Sequence, residues 1–185
     1  MTTTTTPDSV EAPAWYIRAE QPVDLDQIHD LHREAFHGPA EAELVDAIRS
    51  GPDFIPELSL VAVTEDGSVL GHILVSRIEF QPADGVDRLG VLALAPLAVL
   101  PSHADSGIGS ALTKGALALA DEREEPLIAV LGPSSFYGRF GFVPATDFDI
   151  GGPYAEAGPA FQVRPRPGTT PPAGTVIYPP AFASA

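Results

Sequence analysis

The 185-residue sequence carries 25 Asp and Glu against ten Lys and Arg, a formal net charge of −15; it lacks the basic footprint that a nucleic-acid surface needs, so nucleic acid is not an expected partner, whereas a cationic amine is compatible with it. The absence of cysteine excludes disulfides and a thiol nucleophile, and no apolar run is long enough to cross a membrane. With 44% hydrophobic residues, one domain's length and no basic-then-apolar leader, the expectation is a single cytoplasmic domain.

Residues 1–13, with threonine at every position from 2 to 6, carry no apolar period and read as a disordered tail; residues 14–185 form the domain. Residues 15–18 start a sheet. Asp24 is placed to N-cap a helix, with Gln27 three residues on and Leu25, Ile28, Leu31 and Ala35 as its buried stripe. Gly38-Pro39 breaks it and opens a second helix on Leu44, Val45 and Ile48. A strand over 59–64 turns at Asp66-Gly67 into a returning strand over 69–80, and residues 82–85 turn that into a third strand at about 88–100.

Residues 92–101 of this third strand are a continuous apolar run, as in a strand buried on both faces. Pro96 inside it removes a ladder donor and predicts a bulge or a parting of strands. A glycine loop follows, then a helix with Ile108, Ala111, Leu112, Gly115 and Leu119 at helical spacing. Free N–H groups therefore converge at residues 104–109, at the positive end of a helix dipole, a general recipe for holding phosphate. Residues 127–131 read as a short buried strand, and Ser134 or Ser135 as the cap of a short helix holding Tyr137. The Pro- and Gly-rich segment from about 146 holds two apolar runs, 160–163 and 175–178, expected to pair as a closing hairpin with an irregular tail after Pro179.

Residues 94–101 followed by 107–112 resemble the acyl-CoA motif of the GNAT (Gcn5-related N-acetyltransferase) superfamily. Residues 136–144 resemble its second signature, and residues 16–18 and 24–28 its first strand and helix. The resemblance spans about residues 15–145. It implies an α/β (α+β) GNAT fold: a mixed central sheet of about six to seven strands, flanking helices and a splayed central strand. It implies an N-acyltransferase that moves an acetyl or other acyl group from CoA to an amine of a small molecule or peptide. The backbone at Leu97, Ala98 and Val99 would hold the pantetheine and thioester oxygen. Ser106, Gly107, Ile108, Gly109 and Ser110 would hold the phosphates, and Tyr137 would protonate the departing thiolate. His72 and Glu79 on the preceding strand, and Glu34 and His37 near the first helix, are the candidates for a general base.

The loop departs from the family pattern. Ala104 stands in the Gln or Arg position, Ser106 where Arg is common, and Asp105 adds negative charge; His103, Lys114 and Arg139 are the cations available to compensate. Two alternatives follow: a donor carried as acyl-phosphopantetheine on an acyl carrier protein, or a GNAT-like binding protein without turnover. The family habit makes a homodimer an option. The five histidines and the acids show no tight metal-ligand spacing, His29 and His32 on one helix coming nearest, so no metal is expected.

Overall fold

The computed structural model describes residues 15–85 and 87–184; the tail expected over 1–13 lies outside them, as do the domain's outermost residues, 14 and 185. The first half of the chain runs β1 (Trp15–Ala19), α1 (Leu25–Phe36), α2 (Ala40–Arg49), β2 (Ser59–Thr64), β3 (Val69–Pro82) and β4 (Leu89–Val99). The second half runs α3 (Ile108–Asp121), β5 (Leu127–Leu131), α4 (Ser134–Tyr137), β6 (Val143–Pro144), β7 (Ile150–Gly151), β8 (Phe161–Pro165) and β9 (Gly174–Ile177). These strands form one mixed sheet in the order β1-β2-β3-β4-β5-β8-β6, with β9 pairing both β3 and β7. The ladders are antiparallel except β4–β5 and β7–β9.

Among the described residues the sheet has nine strands, more than the expected number of about six to seven. The surplus has a geometric source. β3 is 14 residues long and β2 only six, so the far end of β3 overhangs and offers an open edge. β9 fills it, pairing Gly174 to Ile177 with Pro82 to Glu79. The two late apolar runs therefore do not form a hairpin with each other. Phe161–Pro165 goes instead to the free edge of β5, on the other side of β4.

Side-chain alternation sorts the core into two layers. Val61, Val63, Leu74, Ile78, Val91, Ala93 and Ala98 face α1 and α2. Leu60, Ala62, Ile73, Val75, Leu92 and Leu94 face α3. Asp24 occupies the N-cap position of α1 without capping it. Its carboxylate is committed to Arg18, at 2.6 and 2.9 Å, and to the Gln21 N–H at 2.7 Å. Gln27 ties α1 to the β2–β3 turn, accepting from Val69 N–H at 3.0 Å and donating to Gly67 C=O at 3.2 Å. The end expected to be irregular is a 3-10 turn over Pro180–Ser184, with Phe182 buried and the turn packed on α2.

Candidate active site

Pro96 sits in the predicted bulge. Ile73 pairs with Leu97 and Val75 with Leu94, so β4 has one residue more than β3 across this step. The extra residue resets the alternation: Leu92 and Leu94 face α3, and so do Leu97 and Val99. The Ala95–Pro96 peptide is cis. Beyond the bulge β4 loses its other neighbour. β5 pairs with β4 only from Leu92–Ile128 to Leu94–Val130, then follows β8, where Leu131 pairs with Phe161 and Gly132 N–H reaches Ala160 C=O. Leu100 N–H donates to Leu70 C=O. Antiparallel ladders alternate, so Ala98 is also bonded to β3, while the N–H and C=O groups of Leu97 and Val99 turn toward the parting from β5.

A cleft of about 430 Å³ opens on this parting, lined by Leu97, Val99, residues 105–110, His103, Phe136 and Arg139. Asp105 (φ 58°) and Gly107 (φ 85°) take the left-handed conformation that curls the loop. The backbone N–H groups of Gly107, Ile108, Gly109 and Ser110 find no acceptor among the described residues, and the first intrahelical bond is Ala111 N–H to Gly107 C=O. These donors and the α3 dipole converge on one wall. Ser106 spends its hydroxyl inside the loop, on His103 C=O at 2.6 Å. The positive charge comes from Arg139, whose guanidinium lies 4.7 Å from the Phe136 ring centre and faces the same cleft. His103 shares that wall; Lys114 does not. Phe136 is half-buried and lines the cleft, whereas Phe142 is buried.

A second cleft, about 310 Å³, lies across the same parting and shares Leu97 with the first. Its floor is residues 93–97 and its walls include Phe36 and Glu41 from the helix pair, Tyr137, and Tyr154, Tyr178 and Phe182 from the C-terminal segment. Tyr137 is 7% exposed, and burial pushes its phenol up to about 12, so it is protonated at neutral pH. Its hydroxyl makes no hydrogen bond to the described residues, and its ring is fixed edge-on between Phe136 and Phe142. A Cβ at Gly132 would stand 2.5 Å from that ring, so glycine there admits the tyrosine. α4 starts after Pro133, one residue earlier than a Ser134 cap would allow and two earlier than a Ser135 cap.

Neither His72 nor Glu79 lines a cleft. Glu79 is exposed on the overhanging part of β3 and bridges Arg88 at 2.6 Å. His72 is wholly buried on the opposite face from α3. There Ser59 Oγ–H donates to Glu20 at 2.5 Å, so His72 Nε2–H donates to Ser59 Oγ at 2.9 Å and the bare His72 Nδ1 accepts from His32 Nε2–H at 2.8 Å. His32 Nδ1, at the end of this chain, has no partner among the described residues. Burial, reinforced by the repulsion that His72 would exert if both rings were protonated, drives His32 down to about 2. Burial lowers His72 too, against the pull of Glu20. Burial would raise Glu20, but hydrogen bonds from His72, Arg49 and Ser59 outweigh it and hold the carboxyl near 2. Glu34 and His37 border a separate surface hollow with Asp30 and Arg33. His29 pairs with Asp46 at 2.8 Å, apart from His32. Glu41 and the three C-terminal aromatics are cleft residues that no sequence motif marks.

A family model described as an acetyltransferase (GNAT) domain matches residues 16–145. The chain is 33% identical over 148 residues to the uncharacterized N-acetyltransferase YhbS of Escherichia coli K12, covering 80% of this chain and 85% of that protein. The crystal structure of E. coli YhbS in complex with CoA superposes with a TM-score of 0.82 at 29% identity, covering 95% of this chain and 96% of that one. A GNAT-family acetyltransferase of Brucella melitensis in complex with acetyl-CoA superposes with a TM-score of 0.74 at 31% identity, covering 92% and 99%.

Proposed function

The chain belongs to the GNAT acetyltransferase family, and from that membership we propose that it is an N-acetyltransferase that moves an acetyl group from acetyl-CoA to an amine. The observation that carries this reading is the parting of β4 from β5: it opens two clefts that meet at Leu97, one walled by helix-terminal N–H groups and Arg139, the other by Tyr137. The pyrophosphate of CoA lies against residues 106–110, with Arg139 in place of the cation missing at Ser106. The pantetheine follows the free backbone edge of Leu97 to Val99, which brings the thioester to the point where the clefts join. Solved structures of relatives with CoA and acetyl-CoA support this donor.

Holding amine and thioester together supplies much of the rate. The amine lone pair attacks the carbonyl carbon, a C–N bond forms, and the C–S bond breaks. A β4 N–H in the parting faces the carbonyl oxygen as it gains charge. The sulfur leaves with its electron pair and takes the Tyr137 proton, the nitrogen releases a proton to water in the second cleft, and water returns one to Tyr137. His72 and Glu79 take no part in this route, being outside the cleft.

Acetyl-CoA binding by calorimetry, followed by thiol release with a panel of amines, tests the proposal. Micromolar binding with amine-dependent thiol release is the expected result; no binding overturns it. A donor on an acyl carrier protein is the second reading. It is favoured by Ala104, Ser106 and the acidic Asp105 in the loop, since a single phosphate asks less of that wall than a pyrophosphate.

A further inference from the structure

The second cleft is chemically lopsided. Glu41 is its only charged lining residue among the described residues. The Glu41 carboxylate forms no ion pair or hydrogen bond with them. The same cleft holds an aromatic cluster: Tyr154 and Tyr178 meet edge to face at 5.0 Å between ring centres, and Tyr178 and Phe182 at 4.9 Å. The Tyr154 hydroxyl is turned to Phe182 C=O at 3.5 Å. Phe36 and Tyr137 add two more rings, and the rest of the wall among the described residues is aliphatic or backbone, with no Lys, Arg, His, Asn or Gln.

From this lining we propose, resting on the acetyltransferase reading above, that the acceptor is a small primary amine with a single positive charge on an aromatic or bulky apolar body, bound through Glu41. The ammonium group docks by the Glu41 carboxylate and the tyrosine rings, which attract cations as well as cover apolar surface, and it gives one proton to water before its lone pair attacks the thioester, the second leaving after the C–N bond forms. The volume of about 310 Å³ is at the small end of the ~300–1,000 Å³ range of ligand cavities and suits one ring with a short arm. The same lining argues against other amines. An amino acid would bring a carboxylate toward Glu41 with no cation to meet it. A polyamine would set a second charge against apolar wall, and an aminosugar would leave its hydroxyls unpaired.

Two readouts test this. The first is saturation-transfer NMR of 2-phenylethylamine, phenylalanine and spermidine with the protein alone. The second is thiol release from acetyl-CoA with the same amines and with a lysine-containing peptide. The expected result is binding of 2-phenylethylamine, and a kcat/KM for it at least ~100-fold above that for phenylalanine. Glu41→Gln should raise its KM at least ~10-fold with acetyl-CoA affinity unchanged. Preferential turnover of phenylalanine, spermidine or the peptide overturns the substrate class while leaving the acetyltransferase reading intact, as does an unchanged KM in Glu41→Gln. Binding of 2-phenylethylamine without thiol release overturns the donor reading and leaves the substrate class standing. If 2-phenylethylamine neither binds nor is acetylated, the substrate class fails.

Discussion

A Cβ at residue 132 would collide with the Tyr137 ring, and the ring in turn is closed in by Phe136 and Phe142. The phenol is therefore placed by packing rather than by a hydrogen bond of its own. Replacing Tyr137 with Phe keeps that packing and removes only the O–H. Turnover should fall ~10- to 100-fold with acetyl-CoA affinity nearly unchanged, read by thiol release and calorimetry. Unchanged turnover removes Tyr137 from the mechanism. The tyrosine itself was legible, because it stands in a signature over residues 136–144. Gly132 was not, since a glycine that makes room for a distant ring leaves no local pattern. Glu41 escaped notice for a related reason: one acid in the first turn of an acidic helix looks like an ordinary solvated charge until the fold brings aromatic rings into the same cleft.

At the scale of the element, the loop into α3 combines a favourable backbone with an unfavourable side chain. Its free N–H groups and the α3 dipole attract phosphate, while Asp105 lines the same wall. Changing Asp105 to Gly, compatible with its φ of 58°, and Ser106 to Arg removes one repulsion and adds a charge-assisted contact. A charged hydrogen bond is worth about 1.5–3 kcal/mol, so CoA should bind roughly 10- to 100-fold more tightly in calorimetry. No tightening means that Arg139 already meets the phosphates or that they lie elsewhere. Strand, loop and helix were readable here because apolar run, glycine spacing and helical period are local signals. The fate of β8 and β9 was not: both are short apolar runs, and the edge each joins is decided by the overhang of β3 and the free side of β5, not by the runs themselves.

Across the whole molecule, the buried chain Glu20–Ser59–His72–His32 joins β2, β3, α1 and the turn after β1, and residues 32 and 72 are 40 apart, which no motif reading could bridge. Its histidines are neutral in the fold, with His32 held near 2 against an ordinary value of 6.5. The unfolded chain binds these protons first, so stability is full above about pH 6.5 and is lost as pH falls below it, by up to about 1.4 kcal/mol per pH unit for each histidine. Glu20 acts in the same direction lower down: its contribution is present above 4.5 and lost as pH falls toward about 2. Denaturant midpoints at pH 7.5 and pH 5.5 should show the lower value at pH 5.5. A flat profile between them means that the pair is already charged or hydrated in the native protein.

β3 is hydrogen-bonded on one side to β4 and on the other to β2 and then β9, with α1 and α3 on its two faces. Its backbone amides are accordingly the last to meet solvent, and exchange with deuterium at its centre tracks opening of the entire domain. Of the surfaces proposed to meet substrate, only the Leu97–Val99 edge of β4 is paired with that strand; the others lie on α2, the loop before α3, α4 and the turn after β9. Exchange of ligands at these surfaces requires no opening of the central strand, so turnover and unfolding should run on separate clocks.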